Sequence, residues 1–430
     1  MISSPVFANR KFALLGLARS GLAAARSLHA GGAELLAWDN NETARAQAVD
    51  IATISDPLDA DLTDYDGIVV SPGVPINRHP IADKARASGV PLIGDIELFA
   101  MARPALPPHR VIGITGTNGK STTTALVHHL LKSAAFPTRM AGNIGLPILS
   151  QTPLSAGGVY VLELSSYQID LTHSLACDAA TLINLSPDHL DRYDGYPGYI
   201  ASKARLFDMQ TAKQHSVFGD GDDDTRHVYE AVLAKRGADV VHLAETANLG
   251  DQLEWPSLQG PHNLQNVAVA TKLVESLGLT EAQWRPALKT FKGLAHRMEI
   301  VATRNGVLFV NDSKATNPAS TAPALAAYPR VHWIVGGLPK GDDLDECAPN
   351  FGHVVKAYTI GEAGPLFSRL LSPHMPVERC EMMGSAVHSA FSQAERGDVI
   401  LLSPACASFD QFKDFEARGD AFKAIVEALP

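Results

Sequence analysis

Val111-Ile-Gly-Ile-Thr-Gly-Thr-Asn-Gly-Lys-Ser-Thr122 is an apolar run that stops in glycines and restarts, through Lys-Ser, as a helical pattern. A strand that breaks into glycines before a helix is a phosphate cradle. Glycines let backbone N–H groups turn onto phosphate oxygens, the helix N-terminus adds partial positive charge, Lys120 offsets the β/γ oxygens and Ser121 can ligate Mg²⁺. Ile114 stands where the first glycine of the strict Walker pattern belongs, which leaves the variant Gly116-Thr-Asn-Gly-Lys-Ser. The plain alternative is a strand–turn–helix with a surface lysine. The upstream strand favours ATP binding by Gly116, Thr117, Asn118, Gly119, Lys120, Ser121 and Thr122.

Outward from this cradle, a strand-then-helix rhythm occurs three times, each restarting after a Pro- or Gly-rich break, and predicts three α/β units. The first has strands at Phe12–Gly16, Glu34–Trp38 and Gly67–Ser71 and ends in Arg103-Pro-Ala-Leu-Pro-Pro108, where tandem prolines stop any helix. The second begins at Arg110–Ile114, continues through Val159–Leu164 and Ala180–Leu185, and closes near Lys292-Gly-Leu-Ala-His296. The third begins at Val307–Asn311 and includes Val331–Gly336, Lys356–Ile360 and Val399–Ser403.

Composition narrows the class. A chain of 430 residues with 46% apolar and 19% charged residues can bury several cores and has no bias toward disorder. The net charge of −10 is the wrong sign for coating nucleic acid, so a polyanionic ligand needs local lysines or metal ions. Cys177, Cys347, Cys380 and Cys406 are too scattered for a disulfide framework or a zinc site, which fits a reducing cytosol. Cys406 reads as an inert small residue. The basic and apolar start resembles a secretion signal. It runs on into a glycine turn and helix, so a first strand is expected, and no stretch reaches the ~18 apolar residues of a membrane span.

Other segments offer ligands at predicted strand ends, where open parallel sheets bind them. Gly16-Leu-Ala-Arg-Ser-Gly21, with Asp39 after the next strand, matches a dinucleotide fingerprint except that Ala18 replaces the middle glycine. A bound NAD is therefore disfavoured while another nucleotide on that crevice stays open. Ser71-Pro-Gly-Val-Pro75 is a rigid turn that could face it. Glu163, in Glu163-Leu-Ser-Ser166, and His189, in Asp188-His-Leu-Asp-Arg192, could reach one Mg²⁺–ATP. The alternative for a lone histidine is a structural one. Tyr199–Phe207 predicts a helix with Lys203 on a mostly polar face. Gly260-Pro-His-Asn263 opens a helix whose amides either meet an adenine edge or cap, and His296-Arg297 lies at a joint. Asn311-Asp-Ser-Lys-Ala-Thr-Asn317, Gly336-Gly-Leu-Pro-Lys340 and Ser403-Pro-Ala-Cys-Ala-Ser408 release polar groups after apolar strands.

Taken together, the cradle, Glu163-Leu-Ser-Ser166, Asp188-His-Leu-Asp-Arg192, His262-Asn263, His296-Arg297 and Asn311–Asn317 resemble the Mur ligases over almost the whole chain. Gly94-Asp-Ile-Glu-Leu98, Gly142-Asn-Ile-Gly-Leu-Pro147 and Ser403–Phe412 look like the D-glutamate-adding branch; the Asp-Asn-Pro-Arg signature of the diaminopimelate-adding branch is absent. The resemblance implies an α/β chain of three domains: a Rossmann-like N-terminal domain for a UDP-sugar (1–104), a central P-loop ATPase with a mostly parallel sheet (105–297) and a Rossmann-like C-terminal domain for the amino acid (298–430). It implies UDP-N-acetylmuramoyl-L-alanine contacts at Arg19, Ser20, Asp39, Asn40, Gly73 and Asn143. It implies ATP contacts at Asn263, Arg297 and Asp312, with Lys314 facing the γ-phosphate. D-glutamate would meet Thr316, Lys340, Ser408 and Phe415, the last through its backbone. Lys120, Glu163, His189, Lys203 and Lys314 become the catalytic set. Two Mg²⁺ ions would fall to Ser121, Glu163, His189 and Lys203, the lysine being carbamylated. The implied protein is a cytoplasmic monomer with small-molecule substrates and neither nucleic acid nor membrane as partner. The rivals are another Mur-type or folylpolyglutamate-type ligase and an NAD-dependent oxidoreductase.

Overall fold

In the computed structural model, which describes every residue except Asn248, apolar strands build three sheets. The first comprises β1 (Lys11–Leu15), β2 (Glu34–Trp38), β3 (Thr53–Ile54), β4 (Gly67–Val70) and β5 (Leu92–Ile93) in the order β3-β2-β1-β4-β5, all parallel. The second comprises β6 (His109–Thr115), β7 (Thr138–Gly142), β8 (Gly158–Glu163), β9 (Ala179–Leu182), β10 (His215–Gly219) and β11 (Val241–Ala244), parallel in the order β11-β10-β9-β6-β8-β7. The third comprises β12 (Glu299–Arg304), β13 (Val307–Asn311), β14 (Val331–Gly336), β15 (Val354–Ile360), β16 (Val377–Glu381) and β17 (Val399–Leu402) in the order β12-β13-β17-β14-β15-β16. Its edge strand β12 runs antiparallel to β13. The sequence reading named no strand at β3, β5, β7, β10, β11, β12 or β16; at β12, half-buried Glu299–Arg304 alternates too weakly to announce one.

Parallel sheets carry helices on both faces, so their strands are apolar throughout rather than alternating. β4, β8, β9, β14 and β17 are buried at every position. In the third sheet, neighbouring residues serve opposite cores. Trp333, Val335 and Leu401 pack on one face; Ile334, Ile400 and Leu402 pack on the other, as the two-residue period of a strand requires.

The chain packs as two compact units: residues 1–246 with 268–284, and residues 247–267 with 285–430. In the first unit one core runs through both sheets, from Phe12 and Leu14 to Tyr160, Leu162 and Leu206. The helix Asp95–Ala102 is the joint between them. Its buried Glu97 accepts hydrogen bonds from His173 N (2.7 Å), Ser174 N (2.9 Å) and Ser174 Oγ (2.6 Å). Gly94 N donates to Leu171 O. The Gly94–Leu98 motif is thus an inter-sheet fastening, in which both oxygens of buried Glu97 find donors across the joint.

Candidate active site

The cradle leaves the carboxyl end of β6. Gly116 (φ 152°) and Gly119 (φ 80°) adopt backbone favouring glycine, and Gly119 caps the helix Lys120–Ser133. The loop is clasped by the segment after β9: Thr117 N donates to Asn184 O, Asn118 N to Asn184 Oδ1 (2.8 Å) and Thr117 Oγ1 to Ser186 O (3.1 Å). Lys120 Nζ bends back over it, donating to Gly116 O (3.0 Å) and Thr117 O (2.7 Å). Ser121 is buried at the helix start.

A second lysine meets the same carbonyl. Lys203, on the helix Gly195–Asp208, donates from Nζ to Gly116 O at 2.9 Å and lies 4.6 Å from the centre of the Tyr199 ring. The expected polar face is corrected here: Lys203 is 1% exposed. Burial first, then the Lys120 charge, pushes its ammonium well below the ordinary lysine range. The carboxylates of Asp188, Asp170 and Glu163 act in the opposite direction without outweighing that burial.

Glu163, at the end of β8, is 2% exposed; Asn143 Nδ2 donates to its Oε1 at 3.0 Å, while its buried Oε2 has no hydrogen-bond partner. A Cβ on Gly142 would lie 2.1 Å from Glu163 O, so only glycine lets Asn143 reach. His189 stands at φ 52° with its Nε2 3.4 Å from Asp188 Oδ2 and its ring 5.3 Å from Tyr167. Gly73, Lys120, Asn143, His189 and Lys203 line one cavity of about 290 Å³ together with Tyr167, Asp188 and Tyr199. Tyr167, on the short helix Ser166–Asp170, and Tyr199, on the helix Gly195–Asp208, were not singled out from sequence, because an aromatic residue on a helix carries no signal of facing a site.

The crevice above β1 and β4 uses the fingerprint glycines for packing. A Cβ on Gly21 would lie 1.9 Å from Gly16 O. Asp39 accepts from Leu17 N (2.6 Å) and Asn41 N (2.8 Å), and Arg19 donates to Gly145 O. Ser20 and Asn40 flank these residues on the same turns.

In the second unit, Asp312 follows β13 and accepts from Ser403 Oγ (2.8 Å) and Met298 N (3.1 Å). Lys314 Nζ lies 4.0 Å from the centre of the Phe415 ring, and Lys340 Nζ donates to Thr316 Oγ1 at 3.3 Å. Ser313 Oγ donates to Phe415 O. Buried Arg418 binds Ser313 O, Cys406 O and Ala407 O, drawing the loop after β17, with buried Ser408, onto the loop after β13. Arg297 stands between His296 and Met298, both at positive φ. Asn263 is buried on the helix Pro261–Ser276, donating to Gln259 O and accepting from Asn266 Nδ2. Cys406 is buried with its thiol pushed up to about 12 by desolvation, in keeping with an inert residue.

Asp312 carries a pH prediction. Burial raises its carboxyl from an ordinary 3.8 to about 7. The folded state then binds more protons than the unfolded chain between those values, so this group's contribution is present at low pH and lost as pH rises through about 7. Urea midpoints at pH 5 and pH 8 are expected to show Asp312→Asn gaining on wild type by ~2 kcal/mol across that interval; a constant difference refutes the raised value.

Comparisons with known proteins agree with this layout. Residues 114–273 match the Mur ligase middle domain, and residues 296–406 match the Mur ligase glutamate ligase domain. A protein of Novosphingobium aromaticivorans named UDP-N-acetylmuramoylalanine--D-glutamate ligase is 67% identical over 429 residues, covering 100% of this chain and 97% of its own. The chain belongs to the Mur ligase family. A protein of the same name from Sphingopyxis alaskensis is 55% identical over the full length of both chains. Among solved folds, MurF ligase from Thermotoga maritima in complex with ADP superposes with a TM-score of 0.63 at 16% identity, covering 98% of this chain and 99% of that one.

As a Mur ligase, the chain is an ATP-dependent enzyme that forms amide bonds. This membership removes the oxidoreductase reading. Among the described residues no group of three or more His, Cys, Asp or Glu side chains gathers as a metal cluster. Mg²⁺ keeps waters and phosphate oxygens and needs few protein carboxylates. The unpartnered Glu163 Oε2 is a donor of that kind. Also among the described residues, no helix is long and apolar enough to cross a membrane.

Proposed function

We propose that this Mur ligase joins D-glutamate to UDP-N-acetylmuramoyl-L-alanine through an acyl phosphate, in cytoplasmic peptidoglycan precursor synthesis. The observation that carries the reading is one cavity lined at once by Gly73 and Asn143, the proposed sugar-nucleotide contacts, and by Lys120 and His189, the proposed phosphate and Mg²⁺ contacts. Full-length likeness to ligases named for that reaction supports it.

The chemistry follows from a difficulty: a carboxylate is a poor electrophile, and an amine does not displace its oxygen. Transfer of the γ-phosphoryl group to the L-alanyl carboxylate converts that oxygen into a leaving group. Attack by the D-glutamate amine then forms the C–N bond, the amine gives up a proton and phosphate departs. Two anions must approach each other, so Lys120 and the helix start at Ser121 offset charge where it develops. Bound Mg²⁺ supplies further charge neutralisation and orients phosphate oxygens; Ser121, Glu163, His189 and carbamylated Lys203 are the residues assigned to it. Arg19, Ser20, Asp39, Asn40, Gly73 and Asn143 are assigned to the sugar nucleotide. In the second unit, Asn263, Arg297 and Asp312 are assigned to ATP, Lys314 to the γ-phosphate, and Thr316, Lys340, Ser408 and Phe415 to D-glutamate. The functional division is 1–104, 105–297 and 298–430, acting as a monomer.

Phosphate release with UDP-N-acetylmuramoyl-L-alanine, ATP and Mg²⁺ is expected with D-glutamate and not with L-alanine, L-glutamate or diaminopimelate. Release driven equally by another amino acid, or no release at all, overturns the reading.

A further inference from the structure

The loop that follows β4 and the loop that carries His189 are locked together by hydrogen bonds running in opposite directions. From the first loop, Asn77 Nδ2 and Arg78 Nη2 donate to Asp191 O at 3.1 and 2.8 Å. From the second, Arg192 Nη2 donates to Gly73 O at 3.1 Å. All three hydrogen bonds end on backbone carbonyls, those of Asp191 and Gly73, so the clasp constrains main chain rather than a side-chain rotamer. The Arg192 guanidinium also lies over the Tyr167 ring, 4.6 Å from its centre, and that ring packs 5.3 Å from His189. His189 itself holds a left-handed backbone, φ 52°, closed by Arg192 N donating to His189 O at 2.9 Å. A strained residue persists only where its surroundings over-determine it. Here the surroundings are Arg192, Tyr167 and Asp188, and Arg192 is the one that also reaches Gly73.

We propose that Arg192 is a positioning residue that couples the sugar-nucleotide loop at Gly73 to the placement of His189, so that seating of the first substrate and assembly of the phosphoryl-transfer site are one event. The coupling rests on the function proposed above. Arginine suits the position because a planar guanidinium stacks on Tyr167 while its edge donates to the carbonyl; an ammonium donates without stacking. Asn77 and Arg78 close the same clasp from the other side.

The test compares Arg192→Met, Arg192→Lys, the pair Asn77→Ala/Arg78→Ala, and Arg192→Met combined with that pair. Opening the clasp by Arg192→Met is expected to raise KM for UDP-N-acetylmuramoyl-L-alanine about tenfold and lower kcat about tenfold, leaving KM for D-glutamate unchanged. Arg192→Lys is expected to recover part of both losses. Because both halves hold one element, the combined variant should be no worse than the more damaged parent. Losses that multiply in the combined variant, or an unchanged KM for the sugar nucleotide, overturn the proposal. Hydrogen–deuterium exchange of the wild type and Arg192→Met reads the clasp without catalysis: amides of residues 72–78 and 188–193 should lose protection together. If the wild type makes no amide, the functional reading fails, and this exchange experiment still decides the clasp, since loosening confined to one loop refutes it.

Discussion

Lys120→Met is expected to lower kcat about a thousandfold, with a smaller change in KM for ATP, because the lysine's charge matters most where the transferring phosphoryl group spreads negative charge over its oxygens. Lys120 is well prepared for that task. Its Nζ is held over the loop by Gly116 O and Thr117 O, at the start of a helix capped by Gly119. Methionine keeps the length and most of the packing of the side chain, so folding should survive. Single-turnover phosphate release separates the outcomes. Near-normal turnover in Lys120→Met would remove the cradle from the chemistry.

Lys203→Ala is expected to lower kcat about a hundredfold or more, the loss associated with a group that organises a metal-assisted site. The reasoning starts from burial. An ammonium 1% exposed, beside a second lysine and hydrogen-bonded to a neutral carbonyl, is poorly compensated. In the proposed carbamylation the deprotonated amine adds to CO₂, forming an N–C bond and releasing a proton, which would replace a destabilised cation by a carboxylate-like ligand. Wild-type turnover should then fall in buffer stripped of CO₂ and return on adding bicarbonate, whereas Lys203→Ala should not respond. Full activity of Lys203→Ala, or wild-type turnover indifferent to bicarbonate, would eliminate the carbamate.

The two lysines mark the boundary of what could be read from order alone. Lys120 was legible because its chemistry is local: glycines, lysine and serine lie within one turn of each other, and the strand before them is a plain apolar run. Lys203 was placed on a polar helical face, since periodicity reports the composition of its own helix and not what packs against it. Its decisive neighbour, Gly116, is 87 positions away. Arg192 stood inside a quoted motif without a role, because nothing in Asp188-His-Leu-Asp-Arg192 announces that the guanidinium reaches Gly73, 119 positions off.

By itself, the sequence determined the α/β class, the strands whose burial on both faces makes them uniformly apolar, the phosphate cradle and the family-like order of motifs. These are properties of short windows, where backbone geometry and side-chain type are coupled directly. Tertiary structure alone decided the antiparallel edge β12, the two compact units, the fastening of helix Asp95–Ala102 by Glu97 and the burial that pushes the Lys203 ammonium below its ordinary range. Each of those depends on the charge, hydrogen-bonding groups or bulk that a distant segment brings alongside, and the free energy of burying a polar group is set by those partners.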